Sequence, residues 1–273
     1  MKALFFDIDG TLIDNETKQV PKSALKAIKE AKAAGHLTFI NTGRVECIIE
    51  NIKNRFNMDG YICGCGTQIV IGDKTIFEKR IEHNRGIEIK RLLKKYNLDS
   101  ILEARQGIYF PAKPFVYPEI TERIYDAMCS VIEPSLGEFD RNDYEFDKFC
   151  IIEDPRFSRS DIKSFIDECQ DFDIIDRGAG FYECVPKPCS KGKAVLQVLD
   201  YYNIALEDAY VFGDSMNDLP MFTCGAKNRI LLGEHDTALE EYATFFAKKV
   251  SEDGIYSAMK ETTFSKAVTE TIR

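Results

Sequence analysis

Short apolar runs alternate with helical periodicities along the chain, and their order sketches an α/β protein. Leu4-Phe5-Phe6 is an unbroken apolar run that stops at polar and glycine residues, the pattern of a buried strand. Residues 22–34 place Leu25, Ile28 and Ala31 at helical spacing between Pro21 and Gly35, a start and a stop signal. Residues 37–40 predict a second buried strand, 45–56 a helix, and Tyr61-Ile62 a short third strand. A β-α-β-α-β order of this kind calls for a parallel sheet with right-handed crossovers. Two further runs, at 68–71 and 75–78, flank Gly72-Asp73, a hairpin signal.

Between residues 82 and 183 the pattern changes. A charged helix (84–96), strands near 100–104 and 107–110, a helix near 117–132, a strand at 148–152, a helix at 158–169 and strands near 172–176 and 181–185 read as a separate α+β unit. The first pattern then resumes with a helix at 191–202, a strand at 209–212, a helix at 217–223, a strand at 228–232 and a closing helix near 254–260. The expected architecture is α/β: a Rossmann-like doubly wound parallel sheet core from 1–81 and 184–273, with an inserted α+β cap at 82–183.

Composition narrows the setting. A chain of 273 residues can hold two domains, and 44% apolar with 30% charged residues is ordinary for a soluble protein. No apolar run reaches the ~18–20 residues of a membrane span, and Asp7 and Asp9 interrupt the first one before it resembles a signal peptide. Nine cysteines, odd in number and scattered, speak against a disulfide framework and for reduced thiols in a cytoplasm. Cys63-Gly64-Cys65 has no matching second pair, so no zinc site is expected. The net charge of −9 argues against nucleic acid as a partner. Most of it sits in 82–183, where 14 Lys and Arg face 22 Asp and Glu, a surface that does not favour large polyanions. No membrane partner is expected either, and the chain is read as a monomer or weak homodimer.

Candidate chemistry falls at the ends of predicted core strands and the starts of helices. Asp7 and Asp9, spaced to leave an extended chain on one face, would point into one crevice, with Gly10 allowing a sharp turn and Thr11 adding a hydroxyl. Asn41-Thr42-Gly43-Arg44 follows a strand and opens a helix, where a hydroxyl, an N–H and the helix N-terminus can cradle an oxyanion. Lys191, in Ser190-Lys191-Gly192-Lys193, is a cation misplaced at the positive end of a helix and needs a nearby anion. Lys193 sits further into that helix and is the weaker candidate. Gly213-Asp214-Ser215-Met216-Asn217-Asp218 supplies two more carboxylates. Asp7, Asp9, Asp214 and Asp218 would repel one another without a cation, and their hard oxygens suit Mg2+ completed by a substrate phosphate.

These four motifs, in this order, resemble the haloacid dehalogenase superfamily of aspartyl phosphotransferases, and more narrowly its Cof-type phosphatases, with a large α/β cap between the second and third motifs. The resemblance spans the chain, including Ser251-Glu252-Asp253-Gly254-Ile255. It implies that Asp7 is the nucleophile and Asp9 the general acid and base. It implies Mg2+ held by the Asp7 carboxylate, the Asp9 carbonyl and Asp214, with Asp218 and Asn217 in support. Thr42, the Gly43 N–H, Lys191 and Asn217 are assigned to the substrate phosphate. The implied function is hydrolysis of small phosphomonoesters, sugar phosphates by default.

Two motifs depart from the family's usual pattern. Cys65-Gly66-Thr67 stands where Asn-Gly-Ala is common, and Leu232-Gly233-Glu234-His235 where Met-Gly-Asn-Ala is common. Both bear on substrate choice rather than on the reaction. Two rival functions remain open: a phosphomutase of the phosphomannomutase type, with Arg141, Lys113 or Arg105 forming a local anion site, and a non-catalytic sensor of phosphate ligands.

Overall fold

A computed structural model describes residues 1–154, 156 and 160–264. Its strands are β1 (Ala3–Phe6), β2 (Leu37–Asn41), β3 (Gly60–Cys63), β4 (Gln68–Ile71), β5 (Lys74–Glu78), β6 (Asp99–Ala104), β7 (Gly107–Phe110), β8 (Ser135–Leu136), β9 (Lys148–Ile152), β10 (Phe172–Asp176), β11 (Phe181–Pro186), β12 (Ala209–Gly213), β13 (Asn228–Leu231) and β14 (Phe245–Phe246). Its helices are α1 (Lys22–Ala33), α2 (Glu46–Phe56), α3 (His83–Lys95), α4 (Pro118–Cys129), α5 (Ser160–Glu168), α6 (Lys191–Tyr202), α7 (Leu219–Thr223) and α8 (Gly254–Thr262). The strands form a larger sheet of order β14-β13-β12-β1-β2-β3-β4-β5 and a smaller one of order β10-β11-β9-β6-β7-β8. The expected order of elements is therefore present; residues 158 and 159 of the expected helix 158–169 lie outside the described residues. Helix 217–223 differs: a 3-10 turn at Met216–Asp218 precedes α7.

By contact the chain divides into two compact units, 1–41 with 58–61 and 195–264, and 42–57 with 62–194. In the first, β1 is buried along its whole length and pairs in parallel with β2 and β12. An apolar strand covered on both faces by a parallel sheet's helices has this unbroken run instead of alternation. Phe5 stacks on Phe39 and Phe6 on Phe212, with ring centroids 5.1 and 4.5 Å apart. Helix α1 buries Ile28 and three alanines, Ala24, Ala27 and Ala31, whose small side chains allow close packing.

In the second unit, strand alternation gives the smaller sheet two faces. Leu102, Phe149, Ile151 and Cys184 point to one, which α3 and α5 cover with Ile89, Leu93, Ile162 and Phe165. Ile101, Phe110, Cys150 and Ile152 point to the other and pack with Phe115, Val45 and Ile48. Because α2 carries Val45's neighbour Ile48 into that cluster, the unit reaches beyond 82–183 to take in 42–57. Among the described residues no helix is long and apolar enough to cross a membrane.

Candidate active site

Strand β1 ends at Phe6, the Asp7 amide still donates to the Phe212 carbonyl of β12 at 3.0 Å, and the chain turns from Asp9 onward. The Ile8 carbonyl accepts from the amides of Leu12 and Ile13, folding the backbone back at Gly10. Asp7 is buried, whereas Asp9 is half-buried. Among the described residues, one set of acidic, histidine or cysteine side chains is spaced to hold a metal: Asp7, Asp214 and Asp218, whose oxygens lie within 4.8 Å of one another. The Asp9 carboxylate is not in that set.

Asp214 and Asp218 are fixed by their own surroundings. Thr11 Oγ1 donates to Asp214 Oδ1 at 2.8 Å. Asp218 Oδ2 accepts from the amides of Asp214 and Ser215 at 2.9 and 3.1 Å, and this turn delays the start of α7 to Leu219. Asp236 Oδ2 receives the Met216 amide at 2.8 Å, while the Asp214 carbonyl receives that of Asp236. Asn217 is buried, with its Oδ1 accepting from Ser215 Oγ at 3.1 Å. Three buried carboxylates at this spacing repel strongly unless a cation or protons compensate. All-oxygen donors of this kind suit a small hard cation.

Gly10 closes the arrangement. Its φ is +78°, and a Cβ there would lie 2.3 Å from Asp214 Oδ2. Gly10→Ala is thus expected to cost about 2 kcal/mol of stability through strain and overpacking. By displacing the Asp214 carboxylate it should also cut turnover more than about tenfold. Thermal melting and a steady-state assay of the variant check both.

Thr42, Gly43 and Lys191 belong to the second unit. Helix α2 begins only at Glu46, so Thr42 and Gly43 lie in the loop before it and outside its first turn. Thr42 is buried, its amide donates to the Ile62 carbonyl at 2.9 Å, and its Oγ1 accepts the Arg44 amide at 3.2 Å. Lys191 opens α6 and is wholly buried, while Lys193 is exposed, its amide capped by Ser190 Oγ at 3.1 Å. The Lys191 charge helps to lower the Glu183 carboxyl, after the larger effects of Lys148 and Arg177.

Sequence reasoning missed Glu183 and its neighbours. Lys148 Nζ donates to Glu103 Oε1 at 2.8 Å and to Glu183 Oε1 at 2.7 Å, with all three buried. Their one signal in the sequence is a charge inside each apolar strand run. Cys63 and Cys65 are both buried, and burial pushes both thiols up. All nine cysteines are free. At the other departure, Glu234 pairs with Lys249 at 2.5 Å and His235 Nε2 with Glu240 at 3.2 Å.

Comparison with known proteins gives the family. Residues 4–259 match the model of the haloacid dehalogenase-like hydrolases. The protein named "Putative phosphatase YkrA" of Bacillus subtilis (strain 168) is 27% identical over 262 residues, 95% of this chain and 97% of that one. The 5-amino-6-(5-phospho-D-ribitylamino)uracil phosphatase YwtE of the same organism is 25% identical over 282 residues, 93% of this chain and 96% of that one. Among solved structures, the subclass IIB sugar phosphatase BT4131 superposes with a TM-score of 0.83 at 25% identity, covering 97% of this chain and 100% of its own. With its motifs, its fold and nearly its whole length in agreement, the chain belongs to the haloacid dehalogenase-like hydrolases and is a phosphatase of that family.

Proposed function

We propose that the chain hydrolyses phosphomonoesters of small metabolites, with sugar phosphates as the substrate class, through an aspartyl-phosphate on Asp7 and with Mg2+ as cofactor. The observation that carries this reading is the buried group Asp7, Asp214 and Asp218 at the end of β1 and β12. The sugar phosphatase among its structural relatives supports the substrate class. A small phosphorylated metabolite is the partner, and the net charge of −9 speaks against nucleic acid or an anionic membrane surface.

An Asp7 oxygen bonds to phosphorus as the bond from phosphorus to the leaving alcohol breaks. Asp9 gives its proton to the departing oxygen. Water then attacks the phosphorus of the aspartyl-phosphate, Asp9 takes up its proton, and orthophosphate leaves with Asp7 restored. Standing outside the carboxylate group, the Asp9 side chain suits a proton carrier better than a metal ligand. Mg2+, held by the Asp7 and Asp214 carboxylates and the Asp9 carbonyl with Asp218 in support, supplies neutralisation of charge on phosphate and nucleophile. Lys191, Thr42, the Gly43 N–H and Asn217 bind phosphoryl oxygens, since such transfer rests on positioning and charge. Residues 82–183 act as a cap that selects the leaving group.

A phosphomutase would need basic residues for a second phosphate, and the three candidates are engaged. Arg105 pairs with Asp147 at 3.0 Å and with Glu78, Lys113 with Glu122 at 3.2 Å, and Arg141 with Asp143 and with Glu138 at 3.1 Å. The test is orthophosphate release by purified protein with Mg2+ from sugar phosphates, flavin mononucleotide and pyridoxal phosphate. Highest kcat/KM is expected among the sugar phosphates; no release from any phosphomonoester overturns the reading.

A further inference from the structure

The second unit contains a chain of contacts that joins the smaller sheet to the Thr42–Arg44 loop and to the start of α6, and Cys65 is its centre. The Cys65 amide donates to the Thr42 carbonyl and the Gly64 amide to the Arg44 carbonyl, both at 2.9 Å. Next to it, Gly66 presses on the residue before Lys191: a Cβ on Gly66 would lie 2.5 Å from the Ser190 carbonyl oxygen. Cys65 itself is held at φ +56°, a left-handed conformation that non-glycine residues adopt at a cost and keep only when their surroundings impose it. What it reaches is Glu183: the Cys65 thiol donates to Glu183 Oε1, with Sγ at 3.4 Å.

Glu183 is fixed from the other side. It lies opposite Cys150 in the β9–β11 ladder, and Lys148 lies opposite Glu103 in β6–β9, so all four side chains share one sheet face. Lys148 and Arg177 bond its two oxygens, at 2.7 and 3.1 Å. Burial alone would raise its carboxyl; the charges of Lys148, Arg177 and Lys191 outweigh that and hold it well below the usual carboxylate range. Burial likewise keeps the Cys65 thiol protonated and thus able to donate. Ile101, Phe110 and Ile152 lie on the same sheet face, together with the buried Asp99 at its far end. Apolar residues of similar size commonly replace a buried ion pair without loss of stability, so packing alone does not call for these charges here.

We propose that Glu183 is a positioning residue that, acting through Cys65, sets the placement of the Thr42–Arg44 loop and of Lys191. The proposal rests on the phosphatase reading above, in which those residues bind the phosphoryl group. It also gives the Cys65 departure a role: the thiol is the link between the strand and the loop.

The test uses the full chain with Mg2+ and p-nitrophenyl phosphate, with kcat, KM and melting temperature measured for each variant. Glu183→Gln is expected to lower kcat about 10- to 100-fold, the effect of a misplacement near 1 Å, with KM within about threefold. Cys65→Ala should lower kcat comparably, and the double variant should be no worse than the poorer single one, since both act along one path. Glu103→Gln disturbs the same Lys148 without touching Cys65; it should lower the melting temperature while keeping kcat within about twofold. If Glu183→Gln does not fold, Cys65→Ala against Glu103→Gln decides alone. Unchanged kcat in Glu183→Gln, multiplied losses in the double variant, or an equal kcat loss in Glu103→Gln overturns the positioning role. A wild-type chain inert towards phosphomonoesters overturns the phosphatase reading itself, and this inference with it.

Discussion

Asp7→Asn is expected to fold as the wild type does and to lose at least about a thousandfold in turnover, the scale seen when a nucleophile is removed. The substitution keeps the shape of a side chain that is 4% exposed and removes the oxygen that attacks phosphorus. It also takes one negative charge out of a group of three carboxylates lying within 4.8 Å of one another. In the absence of divalent cations, relief of that repulsion should leave the melting temperature unchanged or raise it. Loss of turnover with undiminished stability separates a chemical role from a structural one. Single-turnover measurement on rigorously purified protein checks it. Turnover of more than a few per cent, with the variant's mass confirmed, would remove Asp7 from the role of nucleophile.

The position of Asp7 was legible because β1 is a run with no polar residue, and such a run ends where the chain leaves the sheet. Helices α1, α3 and α6 were legible for a related reason: their apolar spacing and their boundary residues are local properties. What local pattern does not carry is how distant segments meet. Strand spacing pairs Asp7 with Asp9, but it does not show that Asp7 is grouped with Asp214 and Asp218, which the fold brings to it from far along the chain. Helix α2, expected over 45–56, begins at Glu46, so the Thr42-Gly43 pair read as opening it lies in the loop just before. Least legible of all was the cluster around Lys148. Its partners Glu103 and Glu183 are 45 and 35 residues away and meet it only through sheet register. A charge inside an apolar strand run is the trace this leaves, and a partner for it cannot be read from one strand.

Removal of divalent cations is expected to abolish turnover and to lower the melting temperature together. Asp7, Asp214 and Asp218 are 4%, 6% and 0% exposed, so water screens their mutual repulsion poorly. A cation that binds this group only in the folded chain stabilises it by mass action, by about 2.7 kcal/mol at a concentration 100 times its Kd. The same ion neutralises the approach of an anionic nucleophile to an anionic phosphate. In EDTA the chain should therefore stay folded but melt several degrees lower and release no orthophosphate. Restoration by Mg2+ should recover both properties. Ca2+, which takes more ligands in looser geometry, should recover the melting temperature better than the turnover. Asp218→Asn should blunt the Mg2+-dependent rise in melting temperature, because it takes one carboxylate from the group. Full activity in chelator, or a melting temperature indifferent to Mg2+, would show that protons and not a metal ion hold these three carboxylates together.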